Sequence, residues 1–119
     1  MQYLLLLYTG EDDFWNRPED ERKAVTREYM ELIDDLKDTY VGGAPLQPTS
    51  TATTMRVRDG GQVVTDGPFA ETKEQLGGYF LVDVDSIDEA LEIAARIPAA
   101  RWGSVEVRPL APVPARTEV

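Results

Sequence analysis

The chain has 119 residues, enough for one globular domain but short of two. Its formal net charge of -10, from 12 Lys and Arg against 22 Asp and Glu, disfavours nucleic acid and anionic membranes as partners. Without Cys or His, the chain excludes disulfides, thiolate catalysis and Cys-ligated zinc, so catalysis would rest on carboxylates, Lys, Tyr or bound water.

Gln2 to Tyr8 predicts the first strand, and the leucines at positions 4 to 7 make it apolar on both faces. Such a strand should be covered on both sides. The run is too short for the membrane-inserting segment of a signal peptide and lacks a basic flank. We therefore expect a cytoplasmic protein.

Residues 10–16 form a predicted acidic loop, in which Phe14 and Trp15 either fix the loop to the body or contact a ligand. Pro18 then suits the first turn of a helix of about 20 residues that Gly42-Gly43 should end. Its apolar stripe, at spacings of three and four, consists of Val25, Tyr29, Leu32, Ile33, Leu36 and Tyr40. The carboxylates on its other side indicate a solvated face rather than a metal site.

An alternating pattern from Thr51 to Arg58 predicts a strand, and Asp59-Gly60 supplies a tight hairpin turn. The partner strand returns from Gln62 to Thr65. It should end at Asp66-Gly67-Pro68, because Pro68 cannot donate to a ladder, and Gly67 should be extended because it precedes proline.

Gly78 to Val84 is the second strand with apolar residues on both faces. A capping box from Ser86 to Glu89 begins a helix that should stop at Pro98. The last strand, Ser104 to Arg108, alternates apolar and polar residues. A single domain should therefore span residues 1–109, followed by a Pro-rich, extended tail at residues 110–119.

These elements follow the order β-α-β-β-α-β with one extra strand in a central hairpin, which predicts a ferredoxin-like α+β sandwich. In that topology the strand before each helix is central, and these are the two strands that are apolar on both faces. Two helices cover only one face of the sheet, so the other face would expose an apolar patch unless a second sheet covered it. We therefore predict a homodimer packed sheet to sheet.

The segment Asp66-Gly67-Pro68-Phe69-Ala70-Glu71-Thr72-Lys73-Glu74, with Gly77-Gly78-Tyr79 and Val105-Glu106-Val107-Arg108-Pro109, resembles the DGPF branch of the YCII-related proteins. The resemblance covers nearly the whole chain as far as Pro109 and implies a dimeric α+β barrel. The founding branch is associated with a His-Asp pair, which a chain without His cannot form, and this weakens the inference of an enzyme. DGPF proteins often accompany extracytoplasmic-function sigma factors, which implies a link to stress regulation.

Asp66 and Glu71 lie five positions apart across the turn and are candidates for a carboxylate acid/base pair. Two other interpretations stay open. Asp66 would accept hydrogen bonds from its own turn, and Glu71 would form a salt bridge. Lys73 would pair with a carboxylate in a short helical turn, residues 72–74, that caps the mouth of the dimer.

Glu106 and Arg108 should face the space between the sheets if Val105 and Val107 face the helices. A guanidinium there would clamp an anionic ligand through paired hydrogen bonds, or else the Glu and Arg pair with each other. Tyr79 either offers its phenol to the same space or packs its ring.

Two function classes stay open. The first is a dimer that binds a small molecule, anionic or not, in a pocket between its sheets or transforms it by carboxylate acid/base chemistry. The second is a non-catalytic regulatory module with a protein partner on the acidic helical face, linked by the resemblance to sigma-factor regulation. Whether the chain is an enzyme does not follow from its residues. No phosphate-cradling Gly motif is present, so no nucleotide cofactor is expected, and no metal site is predicted.

Overall fold

A computed structural model describes residues 1–118 as a four-stranded antiparallel sheet with two helices on one face and a separate two-stranded hairpin. Short 3-10 turns connect several of these elements. In chain order the strands and helices are β1 (Gln2–Thr9), α1 (Glu11–Trp15), α2 (Glu19–Leu36), β2 (Tyr40–Pro45), β3 (Thr53–Arg58), β4 (Gly61–Asp66), β5 (Gln75–Asp83), α3 (Ile87–Arg96) and β6 (Ser104–Pro109).

The strand order in the main sheet is β2-β5-β1-β6, the arrangement of a ferredoxin-like fold. The α+β class is therefore confirmed. So is the central position of β1 and β5, the two strands that are apolar on both faces. Among the described residues, none of the helices is long and apolar enough to cross a membrane.

The second strand of the sheet corrects the predicted end of the long helix. The helix ends at Leu36, because Lys37 takes a positive φ of 50° that no helix continues. Tyr40 begins β2 instead and meets the Phe80 ring edge-on, with ring centroids 5.3 Å apart. Gly42 and its neighbour lie inside this strand rather than at a helix end. Tyr40 therefore packs against the same core as the apolar residues of the helix, but it does so from a strand.

The segment predicted as an acidic loop forms the short helix α1 instead. Phe14 and Trp15 pack edge to face at its end, with ring centroids 5.3 Å apart. Acidic residues in its first turn complement the partial positive charge of a helix N-terminus, which explains why a segment read as a loop becomes helical.

The core lies between the sheet and helices α2 and α3. Leu5, Val82 and Ile97 are completely buried at its centre. The valines of β6 pack against the same core, as their alternation predicts. Ser86 caps α3 by accepting from the Glu89 amide at 3.3 Å, while the Glu89 carboxylate accepts from the preceding residue, Asp85, rather than from Ser86 itself. The capping residues therefore act as predicted, with a shift of one position in the return bond.

The predicted hairpin is confirmed, but it lies outside the main sheet. Asp59 and Gly60 both have positive φ, 52° and 76°, as a tight two-residue turn requires. Among the described residues, β3 and β4 pair with each other and with no other strand. The central hairpin with its additional strand is therefore present as predicted, and the edge position in the main sheet is taken by β2, which was not predicted as a strand.

The chain beyond β6 stays in contact with the body at first. The Leu110 amide donates to the Gln2 carbonyl at 3.1 Å. The division into a domain of residues 1–109 and a tail of residues 110–119 stays a prediction, and Val119 lies outside the described residues.

Gly67 corrects a second local prediction. Its φ of +102° lies in the region that favours glycine, although extended geometry was expected before Pro68. Nothing lies within 4 Å of an added Cβ, so Gly67→Ala tests backbone strain alone. We expect this substitution to destabilise the base of the hairpin by about 1 to 3 kcal/mol, measured as faster amide hydrogen exchange in β3 and β4.

Gly61→Ala is the matched control, because it adds the same methyl group to a hairpin glycine with ordinary φ and only an ordinary contact at 3.6 Å. Its effect on exchange should stay within about 0.5 kcal/mol. Equal effects of the two substitutions would show that φ at Gly67 carries no strain.

Candidate functional site

The sheet face opposite the helices carries two rows of side chains across all four strands, and we call it the open face. The strand register places these residues opposite one another, so neighbours in a row lie about 4.5 to 5.5 Å apart. The first row is Ala44, Tyr79, Leu6 and Glu106, and the second is Gly42, Leu81, Leu4 and Arg108. Tyr8, two positions beyond Leu6 in β1, completes the face.

The open face is apolar at its centre and is incompletely covered. Tyr79 is 37% exposed, and Leu4, Leu6 and Leu81 are partly buried. Leu5, on the other face of the same strand, is 0% exposed. The sheet thus has one face that the helices cover and one face whose apolar side chains are partly exposed to water.

Three polar side chains form a chain along one edge of the open face. The Tyr8 hydroxyl donates to Glu106 Oε1 at 3.5 Å, and Arg108 Nη2 donates to Glu106 Oε2 at 2.5 Å. The hydrogen bond and charge of Glu106 hold the pKa of Arg108 above its ordinary value. The Arg108 side chain is 66% exposed, so guanidinium N–H groups remain available to a ligand. By contrast, burial raises the pKa of Tyr29 and Tyr40, which pack against the core.

Two clefts lie at the end of the sheet where β1 finishes and β5 begins. The first, of about 390 Å³, is lined by Gly10, Glu11, Asp12, Asp13, Lys73 and Gln75. The second, of about 300 Å³, is lined by Thr49, Pro68, Ala70, Glu71, Thr72 and Gln75. Gln75 lines both clefts, so they lie side by side.

A hydrogen-bonded bridge fixes the walls of these clefts. The Glu11 carboxylate accepts from the Thr49 backbone N–H at 2.5 Å and from its hydroxyl at 3.0 Å. The Glu11 amide donates to Gln75 Oε1 at 3.0 Å, and Gln75 Nε2 donates to the Thr72 carbonyl at 2.5 Å. The bridge ties α1, the turn after β2, the segment before β5 and β5 itself together.

This bridge was not predicted from the sequence, although one signal for it exists. Thr9 lies opposite Gln75 in the ladder between β1 and β5. The pairing of two central strands therefore brings Glu11, just beyond the end of β1, close to the first residue of β5. Thr49 has no comparable signal, because it reaches the bridge through an irregular connection.

The structure brings together three of the predicted site residues and separates the others from them. Tyr79, Glu106 and Arg108 share the open face. Asp66 is exposed at the end of β4, opposite Thr53 in the hairpin, and is not among the residues that line the two clefts.

Glu71 and Lys73 line different clefts, the second and the first respectively. No helical turn forms at residues 72–74, where one was expected. The Thr72 hydroxyl donates to the Glu74 carbonyl instead, which holds this segment in an irregular bend. Among residues 1–118, no three acidic side chains gather closely enough to hold a metal ion.

Comparison with known proteins gives three findings. The sequence profile of the YCII-related domain matches residues 1–114. A protein of Rhizobium meliloti described as uncharacterised is 44% identical over 93% of each chain. Among solved structures, 5-chloro-2-hydroxyhydroquinone dehydrochlorinase of Burkholderia phenoliruptrix, in complex with 2,5-dihydroxybenzoquinone, gives a TM-score of 0.52. That alignment covers 93% of this chain and 94% of the other at 16% identity, so it shows a shared fold.

Proposed function

The chain belongs to the YCII-related domain family, and on this premise we propose that it is a homodimer that binds a small molecule between two open faces. The observation that carries the proposal is the open face itself, an incompletely covered apolar surface bordered by the polar chain Tyr8–Glu106–Arg108. We further place the chain in the DGPF branch of this family, on the basis of the segment at residues 66–74.

A second copy of the chain, related by a two-fold axis, is the simplest partner that would cover the open face. The axis sets the same surface of two copies against each other, so one apolar patch covers the other. Complete burial of a leucine side chain contributes about 1.5 to 3 kcal/mol relative to leaving it exposed. Leu4, Leu6 and Leu81 on both copies thus contribute apolar contact to a dimer, and the polar edge is left to line the space between the sheets.

The chemistry of this space favours a ligand with an apolar or aromatic body and one anionic group. Leu6 and Tyr79 offer an apolar floor, and the Arg108 guanidinium matches the two oxygens of a carboxylate and can also donate to the single oxygen of a phenolate. The complex of the Burkholderia dehydrochlorinase with 2,5-dihydroxybenzoquinone supports oxygenated six-membered rings as the first probes, because the two proteins share a fold.

Acid/base chemistry by Asp66 and Glu71 is the less favoured form of this proposal. A carboxylate pair would have to act on one substrate, yet Asp66 lies on the hairpin while Glu71 lines the second cleft. We therefore place ligand binding at Tyr79, Glu106 and Arg108, with Lys73 at the rim, and assign no reaction.

Arg108→Gln should weaken the binding of a hydroxybenzoate by about 10-fold to 100-fold, because a hydrogen bond to a charged group contributes about 1.5 to 3 kcal/mol. The uncharged benzamide analogue should lose much less. Titration calorimetry measures both affinities. Arg96→Gln is the control, since Arg96 pairs with Asp35 on the helical side of the protein. Equal losses for acid and amide, or for the two variants, would contradict the role of Arg108.

The alternative is a non-catalytic regulatory module that acts with a sigma factor or in stress regulation. It rests on the outer side of α2, where Glu31, Asp34 and Asp38 just beyond the helix are exposed and offer an acidic surface to a basic partner. A pull-down from native lysate that recovers no partner, together with a ligand that raises the melting temperature, would count against this alternative.

A further inference from the structure

The hairpin projects from the body of the protein, and we call it the arm (β3 and β4). A compact chain of this length has a Cα radius of gyration of about 13.5 Å, whereas that of the structure is 16.8 Å. All six residues of β4 are exposed, and among the described residues neither strand of the arm pairs with the main sheet. An isolated two-stranded hairpin is marginally stable in water, so the arm needs a surface to pack on.

One face of the arm, which we call its apolar face, carries three exposed apolar side chains, with Thr53, Gln62 and Asp66 beside them. Met55 lies opposite Val64 in the ladder, and Val57 lies two positions further along the same face. Their exposed fractions are 53%, 59% and 60% for Met55, Val64 and Val57 respectively. The other face is mixed, with Arg56 opposite Val63 and its guanidinium over the Phe69 ring at 5.5 Å. The arm thus has a defined side on which an apolar partner fits.

The base of the arm is fixed beside the second cleft. The Gly67 amide donates to the Ala52 carbonyl at 2.8 Å, and the Thr54 hydroxyl donates to the Gly67 carbonyl at 2.8 Å. The chain then lines the second cleft through Pro68 and Glu71 before it enters β5. The arm therefore starts beside the end of the sheet where β5 begins, and hydrogen bonds at its base set its direction.

We propose that the arm packs its apolar face on the second copy of the chain and forms one wall of the pocket between the sheets. This inference rests on the dimer of the proposed function and extends it, because the pocket of one protomer would then be incomplete without Met55, Val57 and Val64 of the other. Each protomer would give one arm and receive one, as two-fold symmetry requires.

The size of the interface favours a second copy as the occupant. A standard interface uses about 20 to 30 residues from each partner, and the open face offers roughly nine. The two strands of the arm add six residues each. Alternate residues of these strands lie on the face that packs, so the arm that each protomer gives, with the surface that receives the partner's arm, extends the open face toward the size that a specific dimer needs.

Charge favours the same occupant. Two copies with a net charge of -10 repel each other through most of their surfaces. The arm is neutral, because Arg56 and Arg58 balance Asp59 and Asp66. Together with the apolar centre of the open face, it offers a surface on which two acidic copies approach with little repulsion.

Val64→Asp tests the inference, with Val63→Asp as a matched control. The two valines are adjacent, exposed, in the same strand and on opposite faces of the arm. Val64→Asp should raise the dimer dissociation constant at least 10-fold in sedimentation equilibrium. Val63→Asp should leave it within about twofold, since surface changes outside a contact have small effects. Dissociation constants that are equal for both variants would overturn the role of the arm.

A cross-linking measurement keeps the test independent of folding defects. The chain has no Cys, so Val64→Cys places a single thiol on the apolar face for a photoreactive maleimide. Dimers mixed from isotope-labelled and unlabelled chains distinguish cross-links within a chain from those between chains. Links between chains are expected. Links within one chain alone would overturn the inference, whereas a wild-type monomer would overturn the dimer of the proposed function itself.

Discussion

Replacing Leu5 by alanine should lower the free energy of unfolding by about 3 to 5 kcal/mol, a large fraction of the roughly 5 to 15 kcal/mol that native proteins have. Leu5 is 0% exposed at the centre of β1, between Phe80 and Val107 on the core face of the sheet. The substitution removes apolar contacts and leaves a cavity that a close-packed core fills only in part. Urea denaturation at one protein concentration measures the change.

Leu4→Ala is the control for this prediction, because Leu4 is the adjacent residue in the same strand and faces the other way. It should cost less than Leu5→Ala, and its cost should grow with protein concentration, since a dimer is stabilised by mass action. A loss for Leu4→Ala that equals the loss for Leu5→Ala at every concentration would show that the faces of β1 are assigned wrongly.

Leu6→Arg should raise the dimer dissociation constant by about 100-fold or more. Leu6 lies at the centre of the open face, between Tyr79 and Glu106. A two-fold interface places two of the new guanidinium groups in a region from which water is excluded. The neighbouring Glu106 carboxylate already accepts from Arg108 and Tyr8, so burying the new charges costs several kcal/mol. Size-exclusion chromatography with light scattering measures the molar mass as a function of concentration.

The matched control for Leu6→Arg is Leu91→Arg, the same change at a leucine of α3 that is 50% exposed. This variant should keep the dissociation constant of the wild type. If Leu6→Arg remained dimeric at the same concentrations as Leu91→Arg, the open face would not be the dimer interface. Circular dichroism of both variants establishes that the protomer is folded.

Patterning within the strands was enough to predict the centre of the fold. A strand that is apolar on both faces belongs in the middle of a sheet, which gave the positions of β1 and β5. The turn chemistry of Asp59-Gly60 gave the hairpin, because few other residues accept positive φ at both central positions. Both signals depend on residues that are neighbours in sequence, and each favours one structure.

The edge strand β2 could not be predicted in this way. Its sequence contains two glycines and ends at Pro45, a residue that strands accept at an edge. It is a strand because β5 offers it a free row of backbone groups, and that row exists only after the sheet has formed. The end of α2 also depends on the formation of the sheet, because Tyr40 lies in β2, where its ring contacts Phe80.

The candidate site, like the fold, could be predicted from the sequence only where local patterns determine it. Side-chain alternation alone placed Glu106 and Arg108 on one face, and the strand register then brought Tyr79 into the same row as Glu106. The spacing of Asp66 and Glu71 did not reveal that a positive φ at Gly67 turns the chain between them. Contacts such as that of Glu11 with Thr49 join segments that are far apart in sequence, so periodicity carries no trace of them.

Native mass spectrometry of the purified protein at micromolar concentration tests the central claim most directly. A homodimer with a pocket between its open faces should appear at twice the 13.3 kDa mass of the chain and gain the mass of a bound hydroxybenzoate or hydroxyquinone. The Leu6→Arg variant should lose both the doubled mass and the bound molecule. Wild-type ions at 13.3 kDa that take up no such molecule at micromolar concentration would contradict the account.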